Sequence, residues 1–228
     1  MKKLLKGIVD FRRDSLEAYR EKFSSLALDH NPDALFVACC DSRVVPNVFA
    51  SSDPGDLFVL RNIGNLIPSY HHTTECNCPV DTSVAAAIEF SLLSLNVQTI
   101  VICGHSECGA MNTLIENGEA PCQLPTLKLW LECAAPSYKR FKNSSIKDHG
   151  LSPCNFLSRI NVLQQIDHLK TYPLVMERLQ SNKLKLYGWW FDLTTANVYH
   201  YDKKIKEFVL IDEEEANILL QGDLNDSP

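Results

Sequence analysis

Ala34–Cys39 (ALFVAC) and Gln98–Cys103 (QTIVIC) are nearly continuous apolar runs. Strands that lack polar alternation are buried on both faces, as in a parallel sheet between layers of helix. Another strand is expected at Leu57–Arg61 (LFVLR), after the turn Asp53-Pro54-Gly55-Asp56, and an alanine-rich helix over about Thr82–Leu95. Gly104 breaks the second apolar run, and His105–Asn117 reads as a helix ended by Gly118. Helices are also expected over Asn155–Leu169 and Leu174–Gln180, and 184–202 reads as a hairpin turning at Thr194–Asn197. Strands interleaved with helices in this way specify an α/β fold with a mainly parallel sheet and helices on both faces.

Before the first strand, Leu4, Leu5, Ile8, Phe11, Leu16, Tyr19, Phe23 and Leu26 recur at helical spacing between charged residues. The result is an amphipathic arm of one or two helices, stopped by His30-Asn31-Pro32-Asp33. Such an arm either covers a face of its own core or wraps a second subunit. The 228 residues suit one domain, and the net charge of −6 argues against nucleic acid or an anionic membrane as partner. Lys6, Asp10 and Arg12 interrupt the N-terminal apolar residues, so no secretory signal is expected, and no apolar run reaches membrane-spanning length. Nine cysteines in that setting read as reduced thiols in a cytoplasm.

Two stretches at strand ends carry chemistry: Cys39-Cys40-Asp41-Ser42-Arg43, and Gly104-His105-Ser106-Glu107-Cys108-Gly109. Parallel sheets place their sites at such ends. His105 and Cys108, three apart at an expected helix start, would share one face and suit zinc, which takes N and S donors in a tetrahedron. Gly104 and Gly109 would let backbone approach the ion. Alternatively both residues are structural. If the chain leaves its strand still extended, Cys39, Asp41 and Arg43 point one way and Cys40 points into the core as inert packing. Cys39 then supplies a third ligand, leaving a fourth position open as in catalytic zinc sites. Arg43 would hold Asp41 ionised by a two-pronged pair, or the two form only a surface salt bridge.

C-x-D-S-R on one strand end and H-x-x-C on the next resemble the β-class carbonic anhydrases, nearer the plant-type branch. The resemblance continues through GDLFVLRNIGNLIP (55–68), AAAIEF (85–90), IVICGHSECGAM (100–111), LKTYP (169–173) and LYGWWFD (186–192). It implies a four-stranded parallel sheet with an antiparallel edge strand, and one zinc per chain on Cys39, His105 and Cys108. It also implies an Asp41–Arg43 catalytic dyad and reversible hydration of CO2 to bicarbonate by zinc-bound hydroxide. By the same analogy the chain divides into a dimer-embracing arm (1–33), a catalytic α/β region (34–212) and an acidic tail with a short helix (213–228). The expected assembly is a dimer or dimer of dimers with its active site at the dimer interface.

The plant-type CO2 pocket is lined by a glutamine, a phenylalanine and a tyrosine; in register these are His30, Phe58 and Phe90, with Gly104 as a further substrate contact. Another branch is locked by bicarbonate beside a Trp, an Arg and a Tyr. The corresponding Phe36, Arg61 and Phe90 keep only the arginine, so no locked state is expected. His71, His72, Cys76 and Cys78 form a second metal site, a proton shuttle or a solvated loop. The nearest rival function is hydrolysis of carbon disulfide or carbonyl sulfide on the same fold. A non-catalytic zinc protein would need a closed four-ligand site, and a redox protein on Cys39-Cys40 would need a strained disulfide between neighbours.

Overall fold

In the computed structural model, which describes residues 1–70, 82–118, 123–144 and 150–225, the apolar runs become adjacent central strands. Strands β1 (Ala34–Cys39), β2 (Leu57–Asn62), β3 (Thr99–His105), β4 (Lys185–Asp192), β5 (Asn197–Asp202) and β6 (Glu207–Leu210) form one sheet. Their order is β2-β1-β3-β4-β5-β6, with the first four parallel and the last two antiparallel. The antiparallel edge therefore has two strands where the family resemblance implies one. β6 is only four residues long, too short a pattern to read; Asp202 Oδ1 accepts from Lys204 N–H at 2.6 Å in the turn that returns the chain to it.

The helices are α1 (Lys2–Asp14), α2 (Leu16–Leu26), α3 (Pro46–Phe49), α4 (Ser83–Leu93), α5 (Gly109–Asn117), α6 (Pro125–Leu131), α7 (Ala135–Lys142), α8 (Pro153–Leu169), α9 (Pro173–Gln180) and α10 (Glu213–Asn225). Leu35, Val37, Ile100, Ile102 and Leu186 on one sheet face meet Val84, Ile88 and Leu92 of α4 and Val162, Ile166 and Leu169 of α8. Each fully buried aliphatic side chain in this layer contributes about 1.5–3 kcal/mol. Gly104 and Gly188 let α8 lie against β3 and β4, because a Cβ on them would stand 2.7 and 2.9 Å from Val162 methyls.

The opposite face is thinly covered. Strand order reverses between β1 and β3, so right-handed crossovers put the β1–β2 connection on the other side from the later ones. That connection holds only the four-residue α3, whose Phe49 stacks on Phe191 at 4.6 Å. A cavity of about 460 Å³ remains over Phe36, Val101, Tyr187 and Trp189, bordered by Leu219 of α10. Helices thus stand on both faces, but very unequally.

The arm buries no residue of α1 or α2 in its own chain. Among the described residues the end of α2 is anchored through a Lys22–Asp53 ion pair and Leu26 packed over Gly55, whose φ of +101° suits glycine alone. The acidic C-terminal stretch forms a 13-residue helix, docked where Glu215 meets buried His200 at 2.7 Å. No described helix is long and apolar enough to cross a membrane.

Candidate active site

The point between β1 and β3 where strand order reverses leaves a crevice at the carboxyl ends of both strands. Cys39 ends β1 and faces the same way as Leu35 and Val37; His105 ends β3. Cys108 is the N-cap of α5, not a residue on a shared helical face with His105. The spacing of three works through a turn instead, with Glu107 at φ +54° in the left-handed region. The ligand atoms of Cys39, His105 and Cys108 all lie within 4.8 Å of one another, and all three residues are buried.

The donor set suits a metal ion that takes nitrogen and sulfur. His105 Nδ1 lies 2.8 Å from the Ser106 carbonyl, so it carries the proton and donates. Its Nε2 is then a buried lone pair with no partner. Gly64 N–H points at Cys39 Sγ from 3.4 Å. The hydrogen bond from the Cys108 thiol, with that from Gly64 N–H and the nearby His105 imidazole, outweighs burial and lowers the pKa of Cys39. Cys108 is pushed the other way, by its hydrogen bond to Cys39 and by burial, so the two sulfurs share a proton between them. A metal ion bound there would displace that proton.

Arg43 grips Asp41 with two prongs, Nε to Oδ1 at 3.0 Å and Nη2 to Oδ2 at 2.7 Å, while its backbone N–H also donates to Oδ1. These hydrogen bonds hold the Asp41 carboxyl well below the usual carboxylate range. Arg43 Nη2 also donates to the Glu107 carbonyl at 3.1 Å, joining the loop after β1 to the loop after β3. The pair therefore does more than a surface salt bridge within one loop.

The sequence reading named Arg61 only as the counterpart of a bicarbonate contact, and it missed the polar residues of α8. Arg61 of β2 donates to the carbonyls of Cys39 (3.0 Å), Asp41 (2.7 Å) and Val44 (2.7 Å), clamping the loop that carries the dyad. On α8, Ser158 donates to the His105 carbonyl and Asn155 accepts from Glu107 N–H, both at 2.7 Å. Further along, Asn161 donates to the Gly64 carbonyl at 3.0 Å and Gln165 accepts from Ile67 N–H at 2.8 Å. A polar residue at every third or fourth position of a core helix was the available signal.

Cys40 does not pack in the core; it is exposed. β1 ends at Cys39, so the alternation that would have turned Cys40 inward has already stopped. A Cβ on Gly109 would meet nothing within 4 Å, so no close approach requires that glycine. The bare side of Gly104 faces Val162 and Ser158 of α8.

His30, Phe58 and Phe90 form a row, with ring centroids 6.4 and 5.8 Å apart. Phe58 pairs with Leu35, four residues before Cys39, which at about 3.3 Å per residue puts it roughly 13 Å from the metal cluster of its own chain. Phe36 and Arg61 lie on the other sheet face, with Phe36 against Phe49 and Trp189, so Phe90 does not join them. His71, His72, Cys76 and Cys78 lie outside the described residues.

The sequence profile of the carbonic anhydrase family matches residues 34–198. The solved structure of the β-carbonic anhydrase CcaA superposes with a TM-score of 0.83 at 33% identity, over 92% of this chain and 98% of that one. The chain belongs to the β-class carbonic anhydrases. A carbonic anhydrase of Pseudomonas aeruginosa is 36% identical over 93% of each chain. A β-carbonic anhydrase of the ascomycete Sordaria macrospora, described as tetrameric, shares the fold at a TM-score of 0.69 and 24% identity. In this carbonic anhydrase the profile runs from the first residue of β1 into β5 and takes in the whole Cys39–His105–Cys108 cluster with Asp41 and Arg43.

Proposed function

We propose that Cys39, His105 and Cys108 hold one zinc ion per chain and that the site reversibly hydrates CO2 to bicarbonate and a proton. The observation carrying this reading is the buried, unpartnered Nε2 of His105 directed among two thiols beside an ionised, clamped carboxylate. Zinc, when bound, supplies the Lewis acidity that ionises a water for attack on the carbon of CO2. Cys39 and Cys108 bind as thiolates and pass charge to the ion, so that ionisation needs a higher pH than an all-histidine site would. Asp41, fixed by Arg43, accepts a hydrogen bond from the attacking water and orients it. Arg43 keeps Asp41 charged and draws it toward the Glu107 carbonyl.

The row His30–Phe58–Phe90 is the CO2 pocket of a second copy, since it lies too far from its own cluster. Support comes from the unburied arm, the thin sheet face and β2, which among the described residues pairs with β1 alone. Together they favour a homodimer, or a dimer of dimers; the Sordaria relatives are described as tetrameric. His30 donates a hydrogen bond to substrate in place of the glutamine amide. The enzyme stands nearer the plant-type branch: Arg61 is committed to three backbone carbonyls, and activity should respond to bicarbonate without sigmoidal dependence.

Stopped-flow hydration of CO2 at about pH 7 and pH 8.5 tests the reading. The expected result is rapid hydration that rises with pH. Protein carrying one zinc per chain that consumes carbonyl sulfide but not CO2 would instead establish the sulfur-substrate alternative.

A further inference from the structure

The first turns of α8 place three side chains on the turn between His105 and Cys108. Ser158 Oγ donates to the His105 carbonyl at 2.7 Å, and the Cys154 thiol reaches the Cys108 carbonyl at 3.5 Å. Between them Asn155 makes two bonds to Glu107: Oδ1 accepts from its N–H at 2.7 Å, and Nδ2 donates to its carboxylate at 3.1 Å. Glu107 is the residue held at φ +54°, a backbone region that non-glycine residues seldom occupy. Its carbonyl receives Arg43 Nη2, which also holds Asp41. A continuous set of short contacts therefore runs from Asn155 through the backbone of Glu107 to the dyad.

We propose that Asn155 is a positioning residue for CO2 hydration: by fixing Glu107 in its left-handed conformation it sets both the approach of Cys108 to the metal and the orientation of the Asp41–Arg43 pair. The claim rests on the zinc site proposed above. Asn155 needs no contact with substrate. It acts through the backbone of one residue, Glu107, whose N–H it holds and whose carbonyl meets the dyad, which is how residues behind a metal site tune it. Glu107 itself contributes backbone geometry, its side chain serving only as the second hold for Asn155.

The test compares wild type, N155A, N155D and the double variants N155D/E107Q and N155A/E107G. The readouts are kcat/KM for CO2 hydration, the rate of zinc transfer to a chromogenic chelator, and hydrogen exchange at the Glu107 amide. N155A should lower kcat/KM and speed zinc transfer by about tenfold each, with faster exchange at that amide. N155D keeps the acceptor for Glu107 N–H but loses the donor to the Glu107 carboxylate and repels it, so it should recover most of both losses only when E107Q removes that charge. Adding E107G to N155A should recover them too, because glycine adopts the left-handed conformation without a clamp. A role in helix stability alone would show no such rescue. An active wild type with unchanged N155A, or an N155A loss that neither partner change repairs, overturns the proposal. If wild type neither binds zinc nor hydrates CO2, the site reading fails; the positioning claim is then decided by amide exchange, where unchanged protection in N155A refutes it.

Discussion

Replacing Arg61 with methionine should loosen the dyad loop while leaving the cluster residues intact. The guanidinium donates to three carbonyls, those of Cys39, Asp41 and Val44, at 2.7–3.0 Å. A hydrogen bond from a charged donor contributes about 1.5–3 kcal/mol when it is shielded from water. Arg61 is exposed, and the freed Asp41 carbonyl rehydrates, so the expected loss is about 1–3 kcal/mol rather than the full total of three bonds. Methionine retains the apolar stem, which confines the change to hydrogen bonding. Urea unfolding should show a lower midpoint with an unchanged slope. CO2 hydration should fall further than zinc content, because the loop beyond Cys39 carries Asp41 and Arg43. Lysine, with a single ammonium and no fork, should recover only part of the loss. An R61M protein within about 0.5 kcal/mol of wild type would refute the clamp. A changed response to bicarbonate with no loss of stability would make Arg61 an anion-binding residue instead.

Gly104→Ala should cost about 1–3 kcal/mol and depress activity, because the new methyl meets Val162 at 2.7 Å and Ser158 Oγ at 3.2 Å and pushes α8 off the His105 carbonyl; thermal unfolding and CO2 hydration check this. If the pocket serves the partner's metal site, C39S and F58A proteins, each poorly active, should regain about a quarter of wild-type activity when unfolded and refolded together, since half of random dimers are mixed and each has one intact site. Recovery absent from refolded mixtures would place the pocket and cluster in one chain. Asp41 has a depressed folded-state pKa, so its ion pair stabilises the protein fully above the unfolded value near pH 4 and is lost as pH falls below it. In chelator-treated protein, urea midpoints should therefore drop less between pH 5 and pH 3 in R43M than in wild type.

The central sheet was legible because β1 and β3 are buried along their length and their composition says so directly. The hairpin of β4 and β5 was legible from alternation and its turn. β6 was too short to show a pattern, and α6 and α7 occupy a stretch where none was read. At the site, residue types and spacing pointed to Cys39, His105 and Cys108. The means of bringing them together was misjudged: a left-handed Glu107 turns the chain, and no periodic rule anticipates a single positive φ. Cys40 shows the same limit, since parity along a strand holds only until the strand ends. The clamping role of Arg61 and the polar row of α8 escaped because their partners are backbone atoms 17 to 98 residues away, and backbone atoms leave no trace in residue identity.

The most direct measurement takes wild type, C39S and C40S side by side and determines bound zinc and CO2 hydration for each. One zinc per chain with fast hydration is expected for wild type and C40S, with both lost in C39S. Loss of zinc and activity in C40S with C39S unaffected would contradict the site as built from Cys39, His105 and Cys108.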